Sequence, residues 1–184
     1  MKKILPVLVV LILAVVSCNM APQTQTVKIE NRYSLDLPDY LEKTTDLHDE
    51  ASLQYQNLLK EFYVIVIDES KAEFNKAIED AGNLDFAGNL EGYANMGLYF
   101  KKETVKFDGE PTPKAATINN LQARIVNING TINNLPVYWK EAYIEGKNTY
   151  YQVIIWTLAE KKAEHEKDMQ DIVNSFKEYD KTRK

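Results

Sequence analysis

The sequence predicts an α+β domain, a three-layer α/β/α sandwich around a mostly antiparallel sheet. Three observations predict it. Phe62 to Ile67 and Tyr150 to Leu158 are apolar on both faces, and a strand oily on both faces has to be covered on both. Two segments carry the 3.6-residue apolar stripe of amphipathic helices, one in the middle of the chain and one near its end. The other extended runs alternate and are separated by turn residues, the pattern of hairpins. Two oily faces require two covering layers.

The elements follow in order. Val27 to Glu30 and Tyr33 to Leu37 are short extended runs with a turn near Asn31, and Pro38 stops the second. Ser52 to Asn57 alternates and pairs as a hairpin with Phe62 to Ile67. Ser70 caps a helix whose stripe is Phe74, Ala77, Ile78 and Ala81, and Gly82 closes it. Leu90 to Phe100 is a second helix that carries Gly92 and Gly97. Lys101 to Thr117, charged and broken by two prolines and a glycine, is expected as a long, mobile loop with a short strand at Val105 to Phe107. Asn129-Gly130 stands between alternating runs and predicts a hairpin turn there. A second turn falls at Glu145 to Asn148. Trp156 ends an oily strand and is expected to be buried. The last helix is expected from about Ala159 to Tyr179, with His165, Met169, Ile172, Val173 and Phe176 on its buried face.

Ahead of this domain, Lys2 and Lys3 precede an apolar run from Ile4 to Val16, interrupted only by Pro6. The run is shorter than the about 20 residues that span a bilayer, so it has the layout of a secretory signal. It ends Val15-Val16-Ser17-Cys18, and Cys18 is the only cysteine. This resembles the bacterial lipobox. The resemblance implies residues 1–17 as a lipoprotein signal peptide, a diacylglyceryl thioether on Cys18 and fatty acylation of the new amine. Residues 18–26 then form the lipidated cysteine and a polar tether, and residues 27–184 form one domain. Removing residues 1–17 takes away Lys2 and Lys3 and leaves 20 basic and 27 acidic residues. Such a charge repels nucleic acid and anionic lipid, so the membrane partner is reached through the acyl chains. With its one thiol acylated, the chain has none left for a disulfide, a thiolate metal site or a nucleophile.

Tyr33, Ser34, Pro38 and Tyr40 in "YSLDLPDYL", with Trp156, Ser175 and Phe176 at the other end, resemble the PsbP-like family. The resemblance covers about Val27 to Tyr179. It implies the α/β/α sandwich shared with a small Ran-binding nuclear transport factor. It also implies a non-enzymatic module that docks on partners or helps assemble them. The metal-binding residues of the photosynthetic members find no positions here, so their metal and photosystem roles are not carried over.

No catalytic constellation emerges. His165-Glu166 begins like H-E-x-x-H, but the second histidine position is Met169. His48 sits among Asp46, Asp49 and Glu50. With two histidines in the chain, a histidine triad or three-histidine zinc site has too little material. Asn83, Asp85 and Gly88 fall at calcium-loop positions, but Ala87 and Ala94 occupy two others where oxygen ligands belong. No phosphate loop or nucleophile elbow is present, and no cofactor is called for. Asn129-Gly130-Thr131 matches a glycosylation sequon that the hairpin explains.

Two surfaces remain. Leu35 to Glu50 holds six acids and one lysine, so Asp39, Glu42, Asp46 and Asp49 form a candidate contact face for a basic partner. Tyr33, Tyr40, Tyr55, Tyr63, Tyr138, Tyr143, Tyr150 and Tyr151 lie in or beside strands. They suit a sheet surface or a tyrosine-lined groove. The expected function is a lipid-anchored, non-catalytic interaction or assembly module of the bacterial envelope, its protein partner unidentified. Asn19 beside the cysteine favours the outer membrane, facing the periplasm. The alternative is an anchored carrier or sensor that binds a small ligand or metal in a cleft between sheet and helix. A closed core favours the first reading, and a pocket with convergent polar groups favours the second.

Overall fold

The two strands that are oily on both faces lie side by side in an eight-stranded antiparallel sheet. The computed structural model describes residues 23–29, 31–82 and 86–179. The signal segment, Cys18, and Asn83 and Asp85 of the calcium-loop resemblance lie outside them.

The strands are β1 (Thr24–Ile29), β2 (Tyr33–Pro38), β3 (Glu42–Lys43), β4 (Leu53–Asn57), β5 (Phe62–Ser70), β6 (Lys106–Phe107), β7 (Lys114–Ile118), β8 (Leu121–Ile132), β9 (Leu135–Glu145), β10 (Thr149–Leu158) and β11 (Lys177–Glu178). The helices are α1 (Lys71–Ala81), α2 (Leu90–Lys101) and α3 (Lys162–Ser175). The main sheet runs β3-β4-β5-β10-β9-β8-β6, with β7 also on β8, and β1-β2-β11 form a second sheet. On one face of the main sheet, Phe62, Tyr138, Val153 and Ile155 pack with Met169 and Val173 of α3 and with Tyr33 and Leu35 of the small sheet. On the other face, Ile65, Trp139 and Ile154 pack with Phe74 of α1 and with Tyr93 and Leu98 of α2. Each oily face therefore has its cover, which makes three layers.

Local chemistry sets the boundaries. Ser70 Oγ accepts from Ala72 N at 3.2 Å and caps α1, and Gly82 closes it at φ 55°. Asn89 Oδ1 caps α2 by accepting from Gly92 N at 2.9 Å. Gly97 is required where α2 crosses the sheet, because a Cβ there would lie 2.7 Å from the Tyr143 hydroxyl.

Four expectations are corrected. The β8–β9 turn is Asn133-Asn134, at φ 51° and 64°, and Asn129-Gly130 lies inside β8. Asparagine tolerates the left-handed turn. Gly130 answers a different demand: a Cβ there would sit 2.7 Å from the Lys106 carbonyl of the adjoining strand. Lys101–Thr117 is no long loop, since β6 and β7 both pair with β8 and Val105 is buried. The β7–β8 turn, Asn119-Asn120, repeats the paired-asparagine device at φ 46° and 69°. The last helix stops at Ser175, four residues early. Asn119 Nδ2 donates to the carbonyls of Asn174 and Phe176 at 3.0 and 2.7 Å, and Lys177–Glu178 leave as a strand on β2. Trp156 is only partly buried, because its face of β10 lines a cleft. In addition, β1 begins at Thr24, inside the segment read as tether.

Candidate functional site

The cleft has a volume of about 670 Å³ and opens between α2 and the sheet. Its floor follows from register. Tyr63, Trp156 and Trp139 form one row across β5, β10 and β9; Ile65, Ile154 and Glu141 form the next; Ile67, Gln152 and Tyr143 form the third. Residues paired across antiparallel strands share a face, so these side chains all point toward α2. Tyr93, Met96 and Phe100 of α2 form a wall, and Leu47, His48 and Glu50 reach the rim from the β3–β4 loop. Tyr63 and Trp156 stack with centroids 5.1 Å apart and planes 11° apart. The chain has two tryptophans, and both line this cleft.

Beneath the apolar lining is a buried polar chain. Glu141 is fully buried; one carboxylate oxygen lies 2.7 Å from Lys101 Nζ and the other accepts from the Tyr143 hydroxyl at 2.7 Å. Gln152 Nε2 donates to the Tyr143 oxygen at 3.3 Å. Lys101, at the C-terminal end of α2, also sits 5.2 Å from the Trp139 ring centroid. A buried carboxylate needs such partners, because an unpaired one is costly. Burial and the Glu141 carboxylate hold the Tyr143 phenol well above its ordinary range. Burial and Glu61, which accepts the Tyr63 hydrogen at 2.8 Å, push that phenol up to about 12. Both phenols are therefore hydrogen-bond donors at neutral pH and not bases.

The charge of the cleft is one-sided. Its cation, Lys101, is matched by Glu141. Glu50, Glu61 and Glu69 line it, and none of them has an ion-pair partner among the described residues. Burial, then Glu73 and Glu50, raises the Glu69 carboxyl above its usual range.

The other candidates fall elsewhere. His165 is buried in α3, its Nε2 3.1 Å from the Lys60 carbonyl and its ring 4.7 Å from that of Phe62, a packing role. His48 is exposed, and its Nδ1 accepts from Glu50 N. No group of three or more metal-ligating side chains occurs among the described residues. Asp39, Glu42, Asp46 and Asp49 are all exposed, along the turn after β2, β3 itself and the loop that follows. Gln54 pins that loop, accepting from Leu47 N and His48 N and donating to the His48 carbonyl. Of the strand tyrosines, Tyr63 lines the cleft and Tyr143 lies beneath the lining; Tyr93 joins it from α2. Sequence pattern marks Trp156 as core and Lys101 as loop, and it does not single out Glu141 or Gln152. The signal was Lys140-Glu141, adjacent charges inside an apolar strand, which must point to opposite faces. Lys140 indeed turns to the α3 side and donates to Asn127 and Gln170.

No protein-family model matches the sequence, and no curated protein matches it. Solved structures do. The cyanobacterial PsbP protein of Synechocystis superposes with a TM-score of 0.54 at 10% identity, covering 89% of this chain and 98% of that one. LpqN of Mycobacterium tuberculosis, described as involved in cell envelope biogenesis, gives 0.54 at 13% identity, covering 86% and 91%. The Ran-binding protein Mog1p of Saccharomyces cerevisiae gives 0.53 at 12% identity, covering 87% and 97%. The chain therefore has the PsbP-like α/β/α fold. At these identities the likeness establishes architecture and not activity.

Proposed function

We propose that this protein is a lipid-anchored, non-catalytic binding module of the bacterial cell envelope, whose cleft holds a neutral or cationic ligand with an apolar body. The cleft between α2 and the sheet carries the reading. Its volume of about 670 Å³ falls in the range of about 300–1,000 Å³ usual for small-molecule sites. Its two tryptophans and its isoleucines suit an apolar body. The carboxylates of Glu50, Glu61 and Glu69, with Lys101 already matched, disfavour an anion. The Tyr63 and Tyr143 phenols stay protonated and His165 packs in the core away from the cleft, which is consistent with a non-catalytic role.

The address rests on Val15-Val16-Ser17-Cys18: the domain is tethered through acyl chains on Cys18, in the outer membrane and facing the periplasm. The envelope role described for LpqN is consistent with that address. No helix among the described residues is long and apolar enough to cross a membrane. A second reading, docking of a basic envelope protein, draws on the exposed Asp39, Glu42, Asp46 and Asp49, none of which has a cation partner among the described residues.

The test is native mass spectrometry of the chain purified from its own membranes. The expected result is an acyl mass on Cys18 and a non-covalent apolar adduct. The adduct should be lost in Ile154→Phe, which fills the floor. An adduct of equal abundance in both proteins would place the ligand elsewhere.

A further inference from the structure

We propose that the β4–β5 hairpin tip is a second membrane contact, which sets the orientation of the anchored domain on a phospholipid surface. The tip presents two consecutive leucines to solvent: Leu58 is 63% and Leu59 93% exposed. The turn is built to hold them out. Asn57 Oδ1 accepts from Lys60 N at 2.9 Å, and Glu61, at φ 52°, donates its N–H to the Leu58 carbonyl at 3.3 Å. Lys161 Nζ donates to the Leu59 carbonyl at 3.3 Å, so that backbone group is satisfied without water.

A second, independent observation gives the occupant. The described chain starts at this same end of the sheet. The carbonyl of Gln23 accepts from Asp39 N at 2.8 Å. The next residue, Tyr40, has its own carbonyl held by Asn57 Nδ2 at 2.8 Å and its ring under Lys60 Nζ at 5.0 Å. Cys18 precedes Gln23 by five residues, a reach of about 18 Å at most for an extended chain. A bilayer holding the acyl chains of Cys18 is therefore within reach of Leu58 and Leu59. This step rests on the lipid anchor proposed above. Leu135, 49% exposed, lies on the same edge: Phe62, Thr157 and Tyr138 share a row, and Leu59 and Leu135 each come three residues before it. The three leucines form an apolar fringe on one end of the sheet. An exposed apolar fringe marks an interaction surface.

Charge selects the kind of lipid. Lys60 lies 3.6 Å from Glu164, while Asp39 and Glu42 stand exposed nearby. Lys161, turned onto the Leu59 carbonyl, is the tip's other cation; with the acids beside it the net charge is small, so the contact is chiefly apolar.

The test uses the chain extracted from membranes, with the mass on Cys18 measured first, reconstituted in phosphatidylcholine vesicles. Leu59→Cys and, at the opposite end, Asn148→Cys are each labelled with a nitrobenzoxadiazole fluorophore. Emission at position 59 should shift to the blue and be quenched by bromines on the acyl chains at least threefold more than at position 148. Acylated protein with aqueous spectra and equal quenching at both positions would overturn the proposal and leave the anchor standing. Absence of acyl mass on Cys18 would overturn the anchor reading. The tip is then judged by sedimentation of the unacylated chain with the same vesicles. Leu58→Asp with Leu59→Asp should lower the bound fraction at least about tenfold, the scale expected for withdrawing as few as two buried methylenes at about 0.8 kcal/mol each. Equal sedimentation of both proteins would overturn the tip.

Discussion

Replacing Lys101 by methionine isolates the polar chain under the cleft. The side chain of Glu141 has no solvent exposure and that of Lys101 has 15%, so the substitution leaves a carboxylate with one remaining partner, the Tyr143 hydroxyl. Removing one member of a buried pair costs about 3–5 kcal/mol. The surviving Tyr143 bond and the partial exposure of Lys101 place this case near the lower bound, at about 3 kcal/mol. For a urea slope of about 2 kcal/mol/M, the midpoint should fall by about 1.5 M. The double substitution Lys101→Met with Glu141→Leu removes both charges and should return to within about 1 kcal/mol of wild type. Urea melts followed by tryptophan fluorescence measure all three proteins. A single variant within about 1 kcal/mol of wild type would refute the reasoning. So would a double variant no more stable than the single one, because the cost would then not be that of an orphaned charge.

Other expectations follow from the same geometry. Gly130→Val pushes a Cβ into the Lys106 carbonyl at 2.7 Å and should cost about 1–3 kcal/mol in the same melt, by lifting β6 off the sheet edge. Trp156→Ala should cost less than the about 3–5 kcal/mol of a fully buried aromatic, about 1–2 kcal/mol, because this ring is partly exposed in the cleft and rests on Tyr63. Glu69 has its carboxyl raised by burial, Glu73 and Glu50, so the folded state holds its proton more tightly than the unfolded chain. Its penalty is present above the folded pKa and relieved as pH falls through it. Glu69→Gln should therefore stabilise by about 0.5 kcal/mol at pH 7, solvent screening keeping the gain small. It should also flatten the pH dependence of stability where the wild-type carboxyl takes up its proton, just above the ordinary carboxylate range. Cys18→Ser should abolish acylation and leave the precursor unprocessed, read by mass and by membrane fractionation.

Much of the fold was legible because it rests on period. Phe62–Ile67 and Tyr150–Leu158 are oily on both faces, which suits a doubly covered strand, and the Phe74 and Met169 stripes supply the covers. Ser70 and Gly82 announced the ends of α1 through chemistry local to the chain. What escaped depends on partners distant in sequence. Gly130 looks like a turn glycine until β6 is seen beside it, and the paired asparagines at 119–120 and 133–134 make the turns instead. The end of α3 is decided by the side chain of Asn119, far away in sequence. The cleft escaped for the same reason: Trp156 reads as core until α2 is found to leave its face open. Glu141 escaped because its partner, Lys101, lies in a stretch that composition alone marks as loop.

Whether the cleft binds an apolar ligand is decided by titrating the purified chain with N-phenyl-1-naphthylamine, a neutral fluorescent probe. Trp139 and Trp156 both line the site, so energy transfer from tryptophan to probe reports binding there. The expected result is saturable one-to-one binding with quenched tryptophan emission, lost in Ile154→Phe while that variant melts like wild type. A titration without saturation, or one unchanged by Ile154→Phe, would contradict it.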